Sequence, residues 1–145
     1  MKVNRVKKRG LATALCILLL FSMFAPTASA AAEREKITQS RYSRIAIFSI
    51  DLYINISGLS YPYSNIKLSY DTDTANLTME LQQLNGGKWT TIKSWDTSGS
   101  GTVYLDKTWY VSPGYSYRVY TTAKVYNSSG ILLETAFATS NSVNY

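Results

Sequence analysis

The chain has 145 residues, with 15 Lys and Arg against 9 Asp and Glu, no histidine and one cysteine. Five of the basic residues fall within the first nine positions, with no acid among them, so residues 31–145 carry a net charge of only +1. A nearly neutral chain argues against a nucleic-acid binder, which usually needs a basic patch. The length after residue 30 suits one domain and is too short for two ordinary ones.

The lack of histidine, and of any cysteine after residue 16, excludes several common catalytic chemistries. Neither Ser-His-Asp nor Cys-His nucleophilic sites can be built, and zinc sites with histidine ligands are excluded as well. Only carboxylate, lysine or tyrosine chemistry remains. We therefore expect a protein that is not an enzyme and that uses no cofactor.

The first 30 residues have the three-part build of a secretory signal peptide. Residues 1–10 are polar and basic, residues 11–25 are almost wholly apolar, and Ala28-Ser29-Ala30 supplies the small-x-small pattern before a cut. The apolar run is shorter than the about 20 residues of a transmembrane helix. We predict a signal helix cleaved after Ala30, a secreted extracellular product and no stable membrane insertion after cleavage. The alternative is an uncleaved N-terminal anchor.

Cys16 lies inside the apolar run, whereas a lipidated cysteine would be expected at the cleavage point. A lipid anchor is therefore not predicted, and the processed chain has no cysteine. An exported domain without disulfides must rely on its hydrophobic core. Together with the leader, this absence fits export from a Gram-positive bacterium better than secretion from an animal cell.

Past the leader, the chain divides into a short polar segment and one β-rich domain. Residues 31–44 are charged and lack a stable apolar period, which predicts a flexible N-terminal segment. Residues 45–145 are rich in Tyr, Ile, Val, Thr and Trp, have frequent turn signals and show no convincing helical stretch. This pattern predicts an all-β sandwich or barrel of about seven strands.

Two strands are predicted first. Apolar residues recur at period two from Ala46 to Ile56, so one face of this strand should be buried, and Gly58 should end it. A second alternation covers Ile66, Leu68 and Tyr70. Between the two strands, Tyr61 and Tyr63 flank Pro62, and we expect this stretch to form a loop.

The third and fourth predicted strands form a hairpin. Leu77, Met79 and Leu81 begin the third strand, and Asn85-Gly86-Gly87 is a strong turn signal because a type I′ turn needs positive φ. In the fourth strand, Trp89 and Trp95 share one parity while Ile92 has the other. A bulge near this edge would reconcile the three residues. Residues 97–101 are rich in Ser and Gly, which predicts a loop.

The remaining pattern predicts three more strands. Val103 and Leu105 open the fifth, where Lys107 must sit at an edge or bulge because an unpaired buried ammonium is too costly. The sixth runs from Tyr115 to Tyr126, and the seventh reaches Tyr145. In the sixth strand, the inward residues should be Tyr117, Val119, Thr121, Ala123 and Val125. Its outward residues should be Arg118, Tyr120, Thr122, Lys124 and Tyr126.

Pro113 and Gly114 predict a tight turn before the sixth strand. An inward tyrosine directly after that turn needs a partner for its hydroxyl, and the nearest candidate is backbone at the corner. We therefore assign a structural role to Tyr117, Pro113 and Gly114. Trp95, Asn85 and Gly86 are the structural residues of the preceding hairpin.

The stretch Val111-Ser112-Pro113-Gly114-Tyr115-Ser116-Tyr117-Arg118-Val119 resembles the passage from the fifth to the sixth strand of fibronectin type III modules. In that family a tyrosine at the matching position, here Tyr117, closes a tyrosine corner. The likeness covers about residues 76–140 and implies an immunoglobulin-like, fibronectin type III-like antiparallel sandwich. The tryptophan that such modules commonly carry on the second strand is missing between Ser64 and Tyr70.

The whole arrangement is also similar to a group of small exported single-domain proteins of Gram-positive bacteria that have no assigned function. The residues that carry this likeness are the leader, the run from Leu81 to Trp89, Trp95, the run from Gly114 to Val119, and Ser140-Asn141-Ser142-Val143. This resemblance implies a fold and a location, and no mechanism.

Two features could carry function. Asp71 and Asp73 offer hard oxygens, so they are a weak calcium candidate, and as a catalytic pair they would need a cleft that a small sandwich hardly provides. The stronger feature is the excess of tyrosine, twelve residues against four phenylalanines. Tyr120 and Tyr126, interleaved with Arg118 and Lys124, predict a binding face, although tyrosine also accumulates in strands through its β-propensity alone.

We therefore predict a secreted, non-catalytic binding or structural module whose partner is unknown, with cell-wall glycan or a surface protein as the candidates. The first alternative is a membrane-active or toxin-like protein, against which the charge of +1 and the lack of a basic amphipathic helix argue. The second is a small glycan-active enzyme built on Asp71 and Asp73.

Overall fold

The structure, a computed structural model, describes residues 42–145 of the chain. The predicted signal peptide, its cleavage site at Ala30 and most of the predicted flexible segment lie outside the described residues. Within residues 42–145 no helix is long and apolar enough to span a membrane. The described part contains nine strands: β1 (Ile45–Ile54), β2 (Leu59–Leu68), β3 (Thr74–Asn85), β4 (Lys88–Ser100), β5 (Thr102–Asp106), β6 (Trp109–Tyr110), β7 (Ser116–Tyr126), β8 (Leu132–Thr139) and β9 (Val143–Asn144).

The strands form two antiparallel sheets. One has the order β1-β2-β5, with β6 also paired to β2; the other has the order β4-β3-β7-β8, with β9 also paired to β7. Because β5 and β6 follow each other along β2, and β8 and β9 follow each other along β7, the nine segments trace seven strand paths. The prediction of an antiparallel all-β fold with about seven strands is confirmed.

The core lies between the inner faces of the two sheets. Both sheets contribute alternating apolar side chains, because successive residues of a strand point to opposite faces. The inward residues predicted for β7 are all fully buried, as are Leu77, Met79 and Leu81 of β3. From the other sheet, Ile66, Val103 and Leu105 complete the contact. Trp95 is half-buried and packs against the margin of this core.

Strand β1 follows the predicted alternation in its middle and departs from it at both ends. Leu52 is buried, but Ala46 is exposed, because the register shifts between Ile45 and Ile47 and turns Ile45 into the core. Ile56, predicted to be buried, is fully exposed because the strand ends at Ile54. Tyr70, expected to be inward in the second strand, lies beyond the end of β2 and is exposed.

The loop predicted around Pro62 is wrong, because Pro62 is a buried residue in the middle of β2. The register of β5 and β6 places Lys107 opposite it, and the Lys107 amide donates to the Pro62 carbonyl at 3.2 Å. A regular pair of this kind exchanges two hydrogen bonds, and proline has no N–H for the second. The ladder is therefore interrupted at 107–108, which is why β5 and β6 are separate. Lys107 is exposed at this edge, as predicted.

The predicted hairpin joins β3 to β4, but its turn lies one residue further along than Asn85-Gly86. Asn85 pairs with Lys88, so Gly86 and Gly87 are the two central residues, with φ of 58° and 77°. Positive φ at both positions is what a type I′ turn requires. The predicted bulge is also present: Leu81 pairs with Lys93 and Gln82 with Thr91, which leaves Ile92 as the extra residue.

The loop predicted at residues 97–101 is wrong, because β4 continues through Ser100. Thr97, Ser98, Gly99 and Ser100 pair with residues 74–77 of β3. The change of direction is confined to Gly101, where φ is 67°. Backbone pairing with a long, well-buried neighbour therefore outweighs the weak strand preference of serine and glycine.

The chain entering β1 is held to the last strands. The backbone amides of Ser43 and Arg44 donate to the two carboxylate oxygens of Glu134 at 3.0 and 2.8 Å. The Tyr42 hydroxyl donates to the Phe137 carbonyl at 3.0 Å. Residues 42–44, the end of the segment expected to be flexible, are thus attached to β8.

The corner before β7 has the geometry expected of an inward tyrosine. Tyr117 is completely buried, and its hydroxyl donates to the Ser112 carbonyl at 2.7 Å. The same oxygen accepts a bond from the Gln83 side-chain amide at 3.0 Å. Gly114 has φ of 90°, so the Pro113-Gly114 turn depends on a conformation that glycine adopts without strain.

Candidate functional site

The outward residues predicted as a binding surface lie together on one sheet. Arg118, Tyr120, Lys124 and Tyr126 alternate along β7, a strand with a neighbour on each side. Paired residues of neighbouring strands face the same side, so this surface, which we call the β7 face, also includes outward side chains of β3, β4 and β8.

At one end of the β7 face, Arg118 is held by its own neighbours. Its Nε donates to Oε1 of Gln82 at 2.9 Å, and its guanidinium carbon lies 4.3 Å from the centre of the Trp89 ring. Gln82 donates in turn to Glu80 at 2.9 Å, and Thr91 donates to the same Glu80 oxygen at 2.7 Å. Arg118 therefore covers the hairpin end of the sheet and is poorly placed to engage a ligand with its full charge.

Tyr120 forms an aromatic pair with Phe137 of β8. The ring centres are 6.2 Å apart and the planes differ by 19°, which is a stacked arrangement. Phe137 is about half exposed. The pair presents an apolar plate with the tyrosine hydroxyl at its margin, a surface that suits contact with a partner.

Beyond this pair, the β7 face holds a shallow trough of about 450 Å³. Across the strands, Asp96, Thr78, Thr122 and Phe137 form one row, and Ser98, Asn76, Lys124 and Thr135 form the next. Within it, the Thr78 hydroxyl donates to Asp96 at 2.6 Å. The trough is lined by hydroxyl, amide, carboxylate and ammonium groups together with an aromatic ring, from Asn76, Leu77, Thr78, Asp96, Thr97, Ser98, Thr122, Lys124 and Tyr126.

A second aromatic surface, missed from the sequence, covers the outer face of the β1-β2-β5-β6 sheet. The register places Tyr53 opposite Tyr61, Tyr63 opposite Asp106, and Tyr104 opposite Asn65. Tyr110 lies further along, opposite Leu59. We call this surface the tyrosine face; its five tyrosines are Tyr53, Tyr61, Tyr63, Tyr104 and Tyr110.

The tyrosine face is well exposed. Tyr53, Tyr104 and Tyr110 keep 61, 63 and 69% of their surface in solvent. Tyr53 and Tyr61 are in contact across the strands, with ring centres 5.8 Å apart. The period-two spacing of Tyr61, Tyr63, Asn65 and Lys67 was the available signal, and the proline among them concealed it.

The two carboxylates of the weak calcium candidate have different surroundings in the structure. Asp73 is buried and pairs with Arg44 at 3.4 Å, while Asp71 is exposed. The guanidinium of Arg44 also lies 4.8 Å from the Tyr70 ring centre. Within residues 42–145, no group of three or more acidic, histidine or cysteine side chains is arranged to hold a metal ion. A carboxylate already paired with arginine is a poor ligand for calcium, which prefers six to eight oxygens.

No family model matches the chain, and a search of curated proteins finds no match either.

Proposed function

We propose that this protein is a secreted, non-catalytic binding module with an immunoglobulin-like, fibronectin type III-like sandwich. The strand order supports this fold type: three strand paths lie in one sheet and four in the other, with β3, β4, β7 and β8 together. The Tyr117 hydroxyl bond to Ser112, five residues upstream, supports it as well, since a tyrosine corner recurs in such sandwiches. The signal peptide predicted from residues 1–30 supports an extracellular location.

The ligand we propose is a glycan, bound in the trough of the β7 face. A glycan presents many hydroxyl groups that both donate and accept hydrogen bonds, together with apolar C–H faces. The trough combines acceptors and donors within two adjacent rows, and neighbouring strands about 4.8 Å apart place them at closely repeated intervals. Tyr126 lies at one end of the trough, and the Tyr120–Phe137 plate lies beside it.

The observation that carries the proposal is the meeting of Lys124, Asp96 and Tyr126 around the trough. Lys124 is exposed on a central strand, and the only ion pair within residues 42–145 joins Arg44 to Asp73. The Lys124 ammonium is therefore available to a ligand. Exposed aromatic groups and charges that fold into one concave surface without satisfying one another are typical of binding sites.

Non-catalytic action is proposed because the residues available for catalysis are badly placed. The chain has no histidine, and the candidate carboxylate Asp73 is committed to Arg44. In the trough, Asp96 is exposed and already accepts a hydrogen bond from Thr78. A glycosidase needs two carboxyl groups flanking one sugar linkage, and the second group is missing from the residues that line the trough.

The proposal is tested by sedimentation with insoluble cell-wall glycan and by a glycan array, using the exported protein. We expect retention of the wild type and about tenfold weaker binding by the double variant Lys124→Ala, Tyr126→Ala, equal to about 1.4 kcal/mol. Tyr53→Ala, at an exposed tyrosine of β1 on the opposite sheet, is the matched control and should bind as the wild type does.

Three results would contradict this function. Failure of the wild type to bind any glycan would remove the ligand class, and new reducing ends in the bound glycan would show an enzyme. Dye release from anionic vesicles would instead support the membrane-active alternative. Equal unfolding midpoints for the wild type and the variants would show that the substitutions act on binding and leave the fold intact.

A further inference from the structure

The tyrosine face carries a charge pattern that the glycan site does not use. Asp51 and Asp106 lie on either side of Tyr63, one on β1 and one on β5. Strands are spaced by about 4.8 Å, so the two carboxylates are separated by roughly 10 Å with a tyrosine between them. Both residues are exposed, and neither belongs to the Arg44–Asp73 pair, the one ion pair of the described residues.

Asp51 is held in a defined orientation. Its Oδ1 accepts a hydrogen bond from the Leu52 amide at 2.8 Å, while Oδ2 accepts none from the described residues. On the neighbouring row, the Asn65 side-chain oxygen is buried and has no hydrogen-bond donor in the described structure. An unpaired carbonyl oxygen one row away adds negative potential beside the two carboxylates. The centre of the face is therefore acidic and is incompletely satisfied by its own chain.

Lys107 directly follows Asp106 and is exposed, but it forms no ion pair with that carboxylate. On the outward rows themselves, the cation on β2 is distant from this centre. Lys67 lies opposite Ile47, two rows from Asp51 and Asp106. Two rows correspond to four residues along a strand, or about 13 Å. At that distance an exposed lysine neutralises the carboxylates only weakly, because solvent and salt screen the interaction.

We propose that the tyrosine face binds a protein segment that carries arginine side chains. A guanidinium is planar, stacks on an aromatic ring and can form two hydrogen bonds with one carboxylate, so it matches both components of this surface. Tyr53 and Tyr61 offer rings on one side of the acidic row, and Tyr104 offers a ring on the other. The same chain shows this preference internally, where Arg118 stacks on Trp89 and Arg44 on Tyr70.

Charge decides between this occupant and the two nearest alternatives. A second copy of the chain docked by the same face would bring the Asp51 and Asp106 carboxylates of both copies together, and like charges in an interface oppose association. A neutral glycan would leave both carboxylates without a counter-charge. An arginine-bearing segment supplies that charge at each position. The inference does not rest on the glycan site, which lies on the other sheet.

The test uses a fluorescein-labelled synthetic peptide with two arginines separated by two serines, titrated with the exported protein in low salt and followed by fluorescence anisotropy. We expect binding that falls about tenfold when citrulline replaces arginine, and by a smaller factor when lysine does. The double variant Asp51→Asn, Asp106→Asn should also bind about tenfold more weakly. Tyr53→Ala, which removes a ring and no charge, should weaken the arginine peptide by more than the lysine peptide.

The control is Asp71→Asn, an exposed carboxylate in the turn between β2 and β3, which should leave peptide binding unchanged. The proposal is overturned if the citrulline peptide binds as well as the arginine peptide, if Asp71→Asn weakens binding as much as the double variant, or if the wild type does not bind. Sedimentation that shows a dimer dissociated by Asp51→Asn, Asp106→Asn or by Tyr53→Ala would also overturn it, in favour of a second copy. All substituted side chains are exposed, so urea melts should show one midpoint for every variant.

Discussion

At the corner before β7, one hydroxyl connects two segments of the chain. The Tyr117 oxygen donates to the backbone of Ser112 and accepts from Gln83, which lies on the neighbouring strand β3. The ring itself is completely buried and lies 6.5 Å from the ring of Tyr115. The corner is therefore a polar contact inside an apolar region, where an unsatisfied group is costly.

Tyr117→Phe keeps the ring and removes the hydroxyl, which leaves the Ser112 carbonyl without its donor and Gln83 without its acceptor. We expect the free energy of unfolding to fall by about 1 to 3 kcal/mol, measured by urea denaturation. Tyr104→Phe, at an exposed tyrosine, should change it by less than about 0.5 kcal/mol. Identical midpoints for Tyr117→Phe and the wild type would show that the corner contributes nothing to stability.

Gly58 shows a second single-residue constraint. Its φ is 81°, and a Cβ there would lie 2.8 Å from the Val111 carbonyl oxygen and 2.9 Å from the Tyr145 ring. The Val111 amide also donates to the Gly58 carbonyl at 2.9 Å. The turn between β1 and β2 is thus packed directly against the chain that follows β6, and glycine is required by both its conformation and its size.

Among the elements, β7 and the β3–β4 hairpin were the best predicted. In β7 the alternation is unbroken over eleven residues, so the inward and outward sets follow directly from the period of a strand. In the hairpin, the two glycines after Asn85 allowed the position of the turn to be predicted to within one residue. Even the bulge at Ile92 followed from the conflict of parity with Trp89 and Trp95.

The wrong predictions at the element scale have one physical source. Pro62 and the Ser-Gly run before Gly101 disfavour strands locally, yet both stretches lie beside long neighbours that supply pairing and burial. At Pro62 the missing donor faces the interruption between β5 and β6 and leaves the rest of the ladder intact. Local preference could not reveal this, because the compensation comes from other strands: from Lys107 opposite Pro62, and from residues 74–77 opposite residues 97–100.

Glu134 provides a prediction for one element. Its carboxylate accepts the amides of Ser43 and Arg44, so Glu134→Ala should release the chain before β1 from β8. We expect much faster hydrogen exchange at those two amides and a loss of about 1 to 3 kcal/mol in unfolding free energy. Thr135→Ala, at the exposed neighbouring position, is the control. Unchanged exchange at Ser43 and Arg44 would mean that other contacts hold the segment.

At the scale of the molecule, the two proposed binding faces lie on the outer sides of different sheets. The β7 members of the proposed glycan site were predictable, because they share one strand. Asp96 and Asn76 were not, because their place beside Lys124 depends on the register of three strands. Predicting the tyrosine face would have required the strand register as well, and also the assignment of Pro62 to a strand. Alternation identifies a face along one strand, while a site is assembled across strands.

The balance of charge leads to a prediction for the whole domain. Residues 42–145 contain seven Lys and Arg and seven Asp and Glu, so the domain is neutral overall. Its one ion pair, between Arg44 and Asp73, contributes through a side chain that is 35% exposed on the arginine. The Asp73 side chain of this pair is buried, but a single pair with a partly exposed arginine contributes little, so most stability must come from the apolar core.

We expect the free energy of unfolding to change by less than about 1 kcal/mol between 0.05 and 1 M NaCl, measured by urea denaturation at each salt concentration. Arg44→Met, which keeps much of the apolar stem and removes the charge, should make the salt response smaller still. A loss of more than about 2 kcal/mol in high salt would show that charge pairs stabilise the sandwich. Because arginine-peptide binding at the tyrosine face should weaken steeply over the same range, salt separates the two contributions: the fold persists while the charged contact is screened.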